Sequence, residues 1–291
     1  MRTRRFLLTT VLAALAMIAS SLTAAAATRS FQRYVALGDS YTAGPLIPLP
    51  RLDPLGCGRS TANYPALLAQ ALHVRSYTDA SCSGADTTHM TTAQDVLLGR
   101  NRPQFDALRT DTDLVTLGIG GNDYGVFGAA IGTCPGLRAS DPTGNPCERH
   151  FTVDGVDTLK AAIARIQPNV TEVLKGIHQR SPGAKVLVIG YPRIAPARGY
   201  CPDVLPFANG DYAWLNSVEV ALNHALAKAA AEDGDASYVD TFGPSLGHDA
   251  CAPRGVAWIN GKDLDLLAAA DYHPFRTGMA GVAAVTLSTL R

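Results

Sequence analysis

Gly38-Asp39-Ser40-Tyr41-Thr42 places a serine directly after a short apolar run, Tyr34-Val35-Ala36-Leu37. A hydroxyl at a strand-to-helix turn projects from a sheet edge, and the following helix N-terminus favours negative charge, which is the setting of a nucleophile. The same tripeptide also serves as a turn and N-cap, so Ser40 gains weight only with partners. Gly118-Ile119-Gly120-Gly121-Asn122-Asp123 follows a second apolar run. Its glycines let the backbone approach a ligand closely, and the Asn122 carboxamide can donate to a developing oxyanion. Ser81-Cys82-Ser83-Gly84-Ala85-Asp86 offers the Gly84 N–H, a third donor beside Ser40 and Asn122. Near the C-terminus, Asp271-Tyr272-His273-Pro274 supplies an imidazole. Pro274 drives His273 toward extended geometry and can start a helix, leaving the ring at the rim of a sheet. A serine, a base and convergent donors are the parts of an acyl-transfer site.

Rival patterns are weaker. No phosphate-loop or dinucleotide fingerprint accompanies the glycines at 118–121. The seven histidines contain no H-x-x-x-H pair, so the chemistry reads as metal-independent. Gly243-Pro244-Ser245-Leu246-Gly247 matches the G-x-S-x-G nucleophile elbow and precedes Asp249 and His273 in a plausible order. No helical pattern follows it, and too few strands precede it, so it reads as a loop.

These residues need a scaffold, and short β-branched runs alternating with amphipathic stretches predict a parallel sheet with helices on its faces. Strands are expected at Tyr34–Leu37, His73–Tyr77, Leu114–Leu117, Lys185–Ile189 and Ser237–Val239. Helices are expected at Asn63–Leu72, Val156–Gln179 with a kink at Pro168, Tyr212–Ala231 and Pro274–Leu290, the last packed closely through Gly278 and Gly281. The long helix is expected to bury Leu159, Ile163, Ile166, Val170, Val173, Leu174 and Ile177. Pro45–Ser60 and Gly132–Asp154, rich in Pro and Gly and holding cysteines, read as stapled surface loops. Ligands of such sheets collect beyond the carboxyl ends of the strands, where Ser40, Asn122 and Tyr191 fall. Tyr124, Phe127 and Tyr191 each follow a strand end and are candidates for the substrate pocket.

The chain has 291 residues, 47% hydrophobic, which suits a single domain. Residues 1–27 read as a signal peptide: Arg2, Arg4 and Arg5, an apolar run from Phe6 to about Ile18, then small residues to Ala27. Arg4-Arg5 leaves both the general and the twin-arginine export routes open. The domain is expected to fill 28–291. The 25 basic and 25 acidic residues balance, and removal of the leader's three arginines leaves a small negative excess. Nucleic acid and anionic membrane are therefore not expected partners, nor is stable membrane insertion. The expected partner is a small-molecule or lipid ester, and a monomer is the expected state. Six cysteines, all beyond the leader and without a C-x-x-C pair, favour disulfides in an exported protein. Fifteen pairings are possible; the sequential one, Cys57–Cys82, Cys134–Cys147 and Cys201–Cys251, staples loops that the pattern places near one another.

The blocks Gly38-Asp39-Ser40, Gly84 within Cys82-Ser83-Gly84-Ala85, Gly120-Gly121-Asn122-Asp123 and His273-Pro274, in that order, resemble the SGNH or GDSL-type hydrolase family. More narrowly they resemble its secreted actinobacterial esterase and lipase branch with three disulfides. The resemblance spans Phe31 to Arg291. It implies an α/β, three-layer flavodoxin-like fold with a central parallel sheet of about five strands, and it supports the sequential disulfide pairing. It implies Ser40 as nucleophile, Ser40, Gly84 and Asn122 as oxyanion hole, His273 as general base then acid, and no cofactor. One departure stands out. The family commonly places its triad acid three residues before the histidine, where this chain has Ala270. The Asp271 carboxylate, two before, or a backbone carbonyl of Ala270 or Asp271 is left to orient the ring. The expected activity is that of a lipase or carboxylesterase on fatty-acyl esters. The alternatives are a carbohydrate acetyl-esterase and a non-catalytic secreted binding protein, against which the intact Ser40, Asn122 and His273 argue.

Overall fold

The structure, a computed structural model, describes residues 30–291, and the expected signal peptide at 1–27 lies outside them. Strand β1 (Arg33–Gly38) runs into the one-turn helix α1 (Ser40–Ala43), followed by a long loop, α2 (Tyr64–Leu72) and β2 (Ser76–Asp79). A hairpin of β3 (Gln94–Val96) and β4 (Gly99–Asn101) precedes β5 (Leu114–Gly118), α3 (Val126–Leu137) and α4 (Pro146–Phe151). A second hairpin, β6 (Thr152–Val153) and β7 (Val156–Asp157), leads into α5 (Thr158–Arg180) and β8 (Lys185–Ile189). The chain closes with α6 (Asp211–Asp233), β9 (Ala236–Val239) and α7 (Arg276–Thr289).

Five strands form one sheet in the order β2-β1-β5-β8-β9, and every pair is parallel. This is the doubly wound, flavodoxin-like arrangement expected from the alternating pattern. Strand residues alternate between two cores, because side chains change face at each step. Val35, Leu37, Val115 and Leu117 pack with α5 and α6, whereas Tyr34, Ala36 and Leu114 pack with α2 and α7. A sheet covered on both faces accounts for the near-continuous apolar runs. All seven apolar residues expected on the long helix are buried. On α7 a Cβ at Gly278 would lie 2.3 Å from the Trp258 carbonyl oxygen, and one at Gly281 would lie 2.2 Å from the Trp258 ring. Both positions are therefore confined to glycine by close packing.

Several expected boundaries move for identifiable reasons. β2 begins at Ser76, not His73, because His73 caps α2 in a left-handed conformation. The long helix starts at Thr158, not Val156: Val153 pairs with Val156, and the Asp157 side chain accepts from the Lys160 N–H as N-cap. The helix continues through Pro168. The segment 132–154 is mostly helical, not loop. α3 carries Pro135 inside it, α4 starts at Pro146, and the Asp211 carboxylate caps α4 by accepting from the Cys147 and Glu148 N–H groups. The bonded cysteines are Cys57–Cys82, Cys134–Cys147 and Cys201–Cys251, and the second pair joins α3 to α4.

In this topology the strand order reverses between β1 and β5, and the crevice beyond their carboxyl ends is the natural ligand site. Gly38 and Gly118 are register partners at those ends.

Candidate active site

The loop after β1 is held from several sides. Asp39 is extended and caps α1, its carboxylate accepting from the Tyr41 N–H at 2.9 Å. Gln104 clamps Gly38 twice, accepting from its N–H at 2.8 Å and donating to its carbonyl at 2.9 Å. A Cβ at Gly38 would lie 2.2 Å from the Thr42 hydroxyl oxygen and 2.5 Å from the Gly118 carbonyl, so only glycine lets β1 turn this close to β5. Ser40 is thereby fixed as the first residue of α1.

His273 arrives from the far end of the chain. Its Nε2 lies 2.8 Å from Ser40 Oγ, and its Nδ1 lies 2.6 Å from the main-chain carbonyl oxygen of Asp271. A carbonyl only accepts, so Nδ1 carries the proton and Nε2 is free to accept from the serine hydroxyl. The turn that aims the ring passes through Tyr272 at φ 55°, a left-handed conformation uncommon for an aromatic residue. Surrounding bonds hold it. The Tyr41 hydroxyl donates to the Tyr272 carbonyl at 2.6 Å, the Tyr272 N–H donates to Gly261, and the Asn260 amide donates to the Ala270 carbonyl. The Ala270 carbonyl also accepts from the His273 N–H, so of the two carbonyls considered from sequence it is that of Asp271 that meets the imidazole. The Asp271 carboxylate makes no hydrogen bond to the ring among the described residues. Burial lowers the pKa of His273 below its ordinary value, opposed by the bond to the Asp271 carbonyl and by the Asp271 charge. The downward shift favours the neutral imidazole, the form that can accept a proton.

Hydrogen bonds tie two further loops to the one that carries the serine. Cys82 N–H donates to the Gly38 carbonyl at 3.0 Å, which brings Gly84 beside the loop after β1. Asn122 Nδ2 donates to the Ala85 carbonyl at 2.9 Å, which brings the third loop to the same place. Among the described residues neither the Ser40 nor the Gly84 N–H has an acceptor. The second Asn122 amide hydrogen is likewise available.

A mostly apolar channel is lined by Ser40 and Asn122. Val126, Phe127 and Ile131 of α3 form one wall, and Leu215, Val218 and Leu222 of α6 form another. Phe127 and Tyr191 line it, and the Phe127 ring meets His273 edge-on at 5.8 Å. Tyr124 does not line it, contrary to its expected place in the pocket. Its ring lies under the Arg165 guanidinium at 4.0 Å, and its hydroxyl accepts from Asn169. Following a strand end does not fix direction, and the left-handed backbone at Tyr124 turns that side chain outward. Tyr191 has a second task. Its hydroxyl donates to the Asp39 carboxylate and accepts from the Gly121 N–H, tying the serine loop to the glycine loop. Burial pushes the Asp39 carboxyl up to about 7, against the hydrogen bonds from the Tyr191 hydroxyl and the Tyr41 N–H.

Ser245 is a buried loop hydroxyl: it donates to the Phe242 carbonyl and accepts from the Arg193 N–H. Sequence reasoning missed Tyr41, Gln104 and Glu219. Tyr41 adjoins the serine motif, and Gln104 leaves no signal in a single sequence. Glu219 was detectable as an acid set among Leu215, Val218 and Leu222 on one helix face.

The sequence profile of the GDSL-like lipase/acylhydrolase family matches residues 36–280. Lipase 2 of Streptomyces coelicolor is 44% identical over 231 residues, covering 78% of this chain and 75% of that protein. The structure of phospholipase A1 from Streptomyces albidoflavus superposes with a TM-score of 0.73 at 29% identity, covering 89% of this chain and 99% of that one. The extracellular lipase of Streptomyces rimosus superposes with a TM-score of 0.67 at 29% identity, covering 88% and 99%.

Proposed function

The chain belongs to the GDSL-like lipase/acylhydrolase family, and we propose that this serine ester hydrolase attacks fatty-acyl esters with Ser40, using His273 as base. The observation that carries the reading is the 2.8 Å contact between Ser40 Oγ and His273 Nε2 at the mouth of an apolar channel. Ser40 Oγ attacks the ester carbonyl carbon as its proton passes to Nε2. The tetrahedral oxyanion takes hydrogen bonds from Ser40 N–H, Gly84 N–H and Asn122 Nδ2. Collapse expels the alcohol, protonated by His273, and water then releases the acid with His273 again as base. The Asp271 carbonyl holds the tautomer through both steps. Three disulfides and the likeness to an extracellular lipase support a place outside the cell.

The apolar side chains of α3 and α6 that line the channel support a fatty chain over an acetyl group. On p-nitrophenyl esters of increasing chain length, kcat/KM should rise roughly three- to fourfold per added methylene until the channel is filled. A preference for acetate, with longer chains slower, would instead favour an acetyl-esterase.

Asp271→Asn separates the carbonyl from the carboxylate. If the carbonyl orients the ring, kcat/KM at pH 7.5 should fall by less than about fivefold, against roughly 10⁴-fold when a triad acid is neutralised. The Asp271 charge raises the pKa of His273, so its removal should move the acid limb of the kcat/KM profile to lower pH. A loss approaching 10⁴-fold would assign the orienting role to the carboxylate.

A further inference from the structure

We infer that Glu219 forms a polar subsite in the wall of the channel that selects acyl chains bearing a hydroxyl group. This rests on the reading that the channel holds the acyl chain. Glu219 lies on α6 with Leu215, Val218 and Leu222, and all four line the channel. One carboxyl oxygen, Oε1, accepts from the Ile194 and Ala195 N–H groups at 3.2 Å each. The other, Oε2, is buried and has no hydrogen-bond partner among the described residues. A buried polar atom without a partner is rare in native structures, and one in the wall of a channel is open to a ligand's polar atom.

The protonation state decides what the subsite offers. Burial pushes the carboxyl up to about 8, against the two backbone bonds and the nearby Arg193 charge, with Asp249 pushing further upward. Arg193 is engaged elsewhere, with Asn216, the Phe242 carbonyl and the Phe242 ring, and forms no ion pair with Glu219. The remaining charged or titratable groups facing the channel are Tyr41, Asp39 and Tyr191 near its mouth. At pH 7 Glu219 is therefore a neutral acid whose Oε1 is taken by two N–H donors. Its proton sits on Oε2, an O–H that can both donate to and accept from a hydroxyl. A plain methylene chain leaves that group unpaired, whereas a hydroxyl at the matching carbon satisfies it. Above about pH 8 the carboxylate becomes a charge in an apolar wall, which disfavours a plain chain further.

The test uses p-nitrophenyl esters of one chain length, plain or carrying one hydroxyl walked along the acyl chain, with wild type, Glu219→Gln and Glu219→Leu. At one hydroxyl position the wild type should favour the hydroxyacyl ester by about five- to tenfold in kcat/KM at pH 7, the size of one buried hydrogen bond. Glu219→Leu should reverse the preference. Glu219→Gln keeps an acceptor for the two backbone N–H groups and should retain the preference. It should also abolish the fall in plain-ester kcat/KM expected of the wild type above about pH 8. The inference is overturned if no hydroxyl position is favoured, if the leucine variant discriminates like the wild type, or if the glutamine variant keeps the wild-type pH profile. Glycerol and simple alkyl esters of one acid are assayed beside them, and the inference is also overturned if the Glu219-dependent preference appears only in that pair, which would place the alcohol in the channel. Ser40→Ala, run in parallel, keeps the two failures apart. Inactivity there with unchanged Glu219 ratios removes only the subsite, whereas retained turnover removes the catalytic reading.

Discussion

Replacing Ser40 by alanine is expected to lower kcat on a p-nitrophenyl ester by about a millionfold, and adding His273→Ala is expected to cost almost nothing more. The two groups work as one device. Without the hydroxyl there is no atom for the imidazole to deprotonate, and without the imidazole the hydroxyl keeps its proton at neutral pH. The geometry already sets this unit: Nδ1 is committed to the Asp271 carbonyl, which leaves Nε2 as acceptor 2.8 Å from Ser40 Oγ. The residual rate in either variant should still exceed that of the reaction in water, because the channel and the oxyanion donors remain. Losses that multiply in the double variant would mean that the residues act independently.

The second large effect belongs to Asn122. Replacing it by alanine should reduce kcat by about 10²- to 10³-fold with little change in KM, since the charge it stabilises exists only in the transition state. Asn122 also ties its loop to the Ala85 carbonyl, so a melting temperature on the same variant separates lost chemistry from a loosened loop. Asn122→Asp keeps the shape but sets a negative charge against the oxyanion, and should be slower still than alanine. A rise in KM with kcat unchanged would make Asn122 a ground-state contact only.

Ser40 and Asn122 were legible because each follows a strand whose end could be read from apolar runs and glycines, and His273 because it precedes a proline that can start a helix. Ser40, Gly84 and Asn122 lie in contiguous motifs, and a parallel sheet brings such loops together whatever their distance in sequence. The support around them was not legible. Gln104 reaches Gly38 across 66 residues through a short 3₁₀ turn with no periodicity to announce it. The helices at 126–151 were hidden by glycine and proline, and their stability comes from the Cys134–Cys147 bond and the Asp211 cap, which only tertiary structure supplies. The orientation of His273 was open for a different reason. A backbone carbonyl has no sequence signature, so Asp271 could be named without knowing whether its side chain or its main chain does the work. Tyr124 shows the reverse error, a residue at the right position in sequence turned away by one left-handed backbone angle.

The central claim is that Ser40 is the nucleophile, and a fluorophosphonate that traps activated serines tests it directly. After labelling at neutral pH and tryptic digestion, the adduct mass is expected on the peptide Tyr34–Arg51, and it should be lost in His273→Ala. An adduct on the peptide Ala229–Arg254, which carries Ser245, or labelling of Tyr34–Arg51 that persists without His273, would contradict the account.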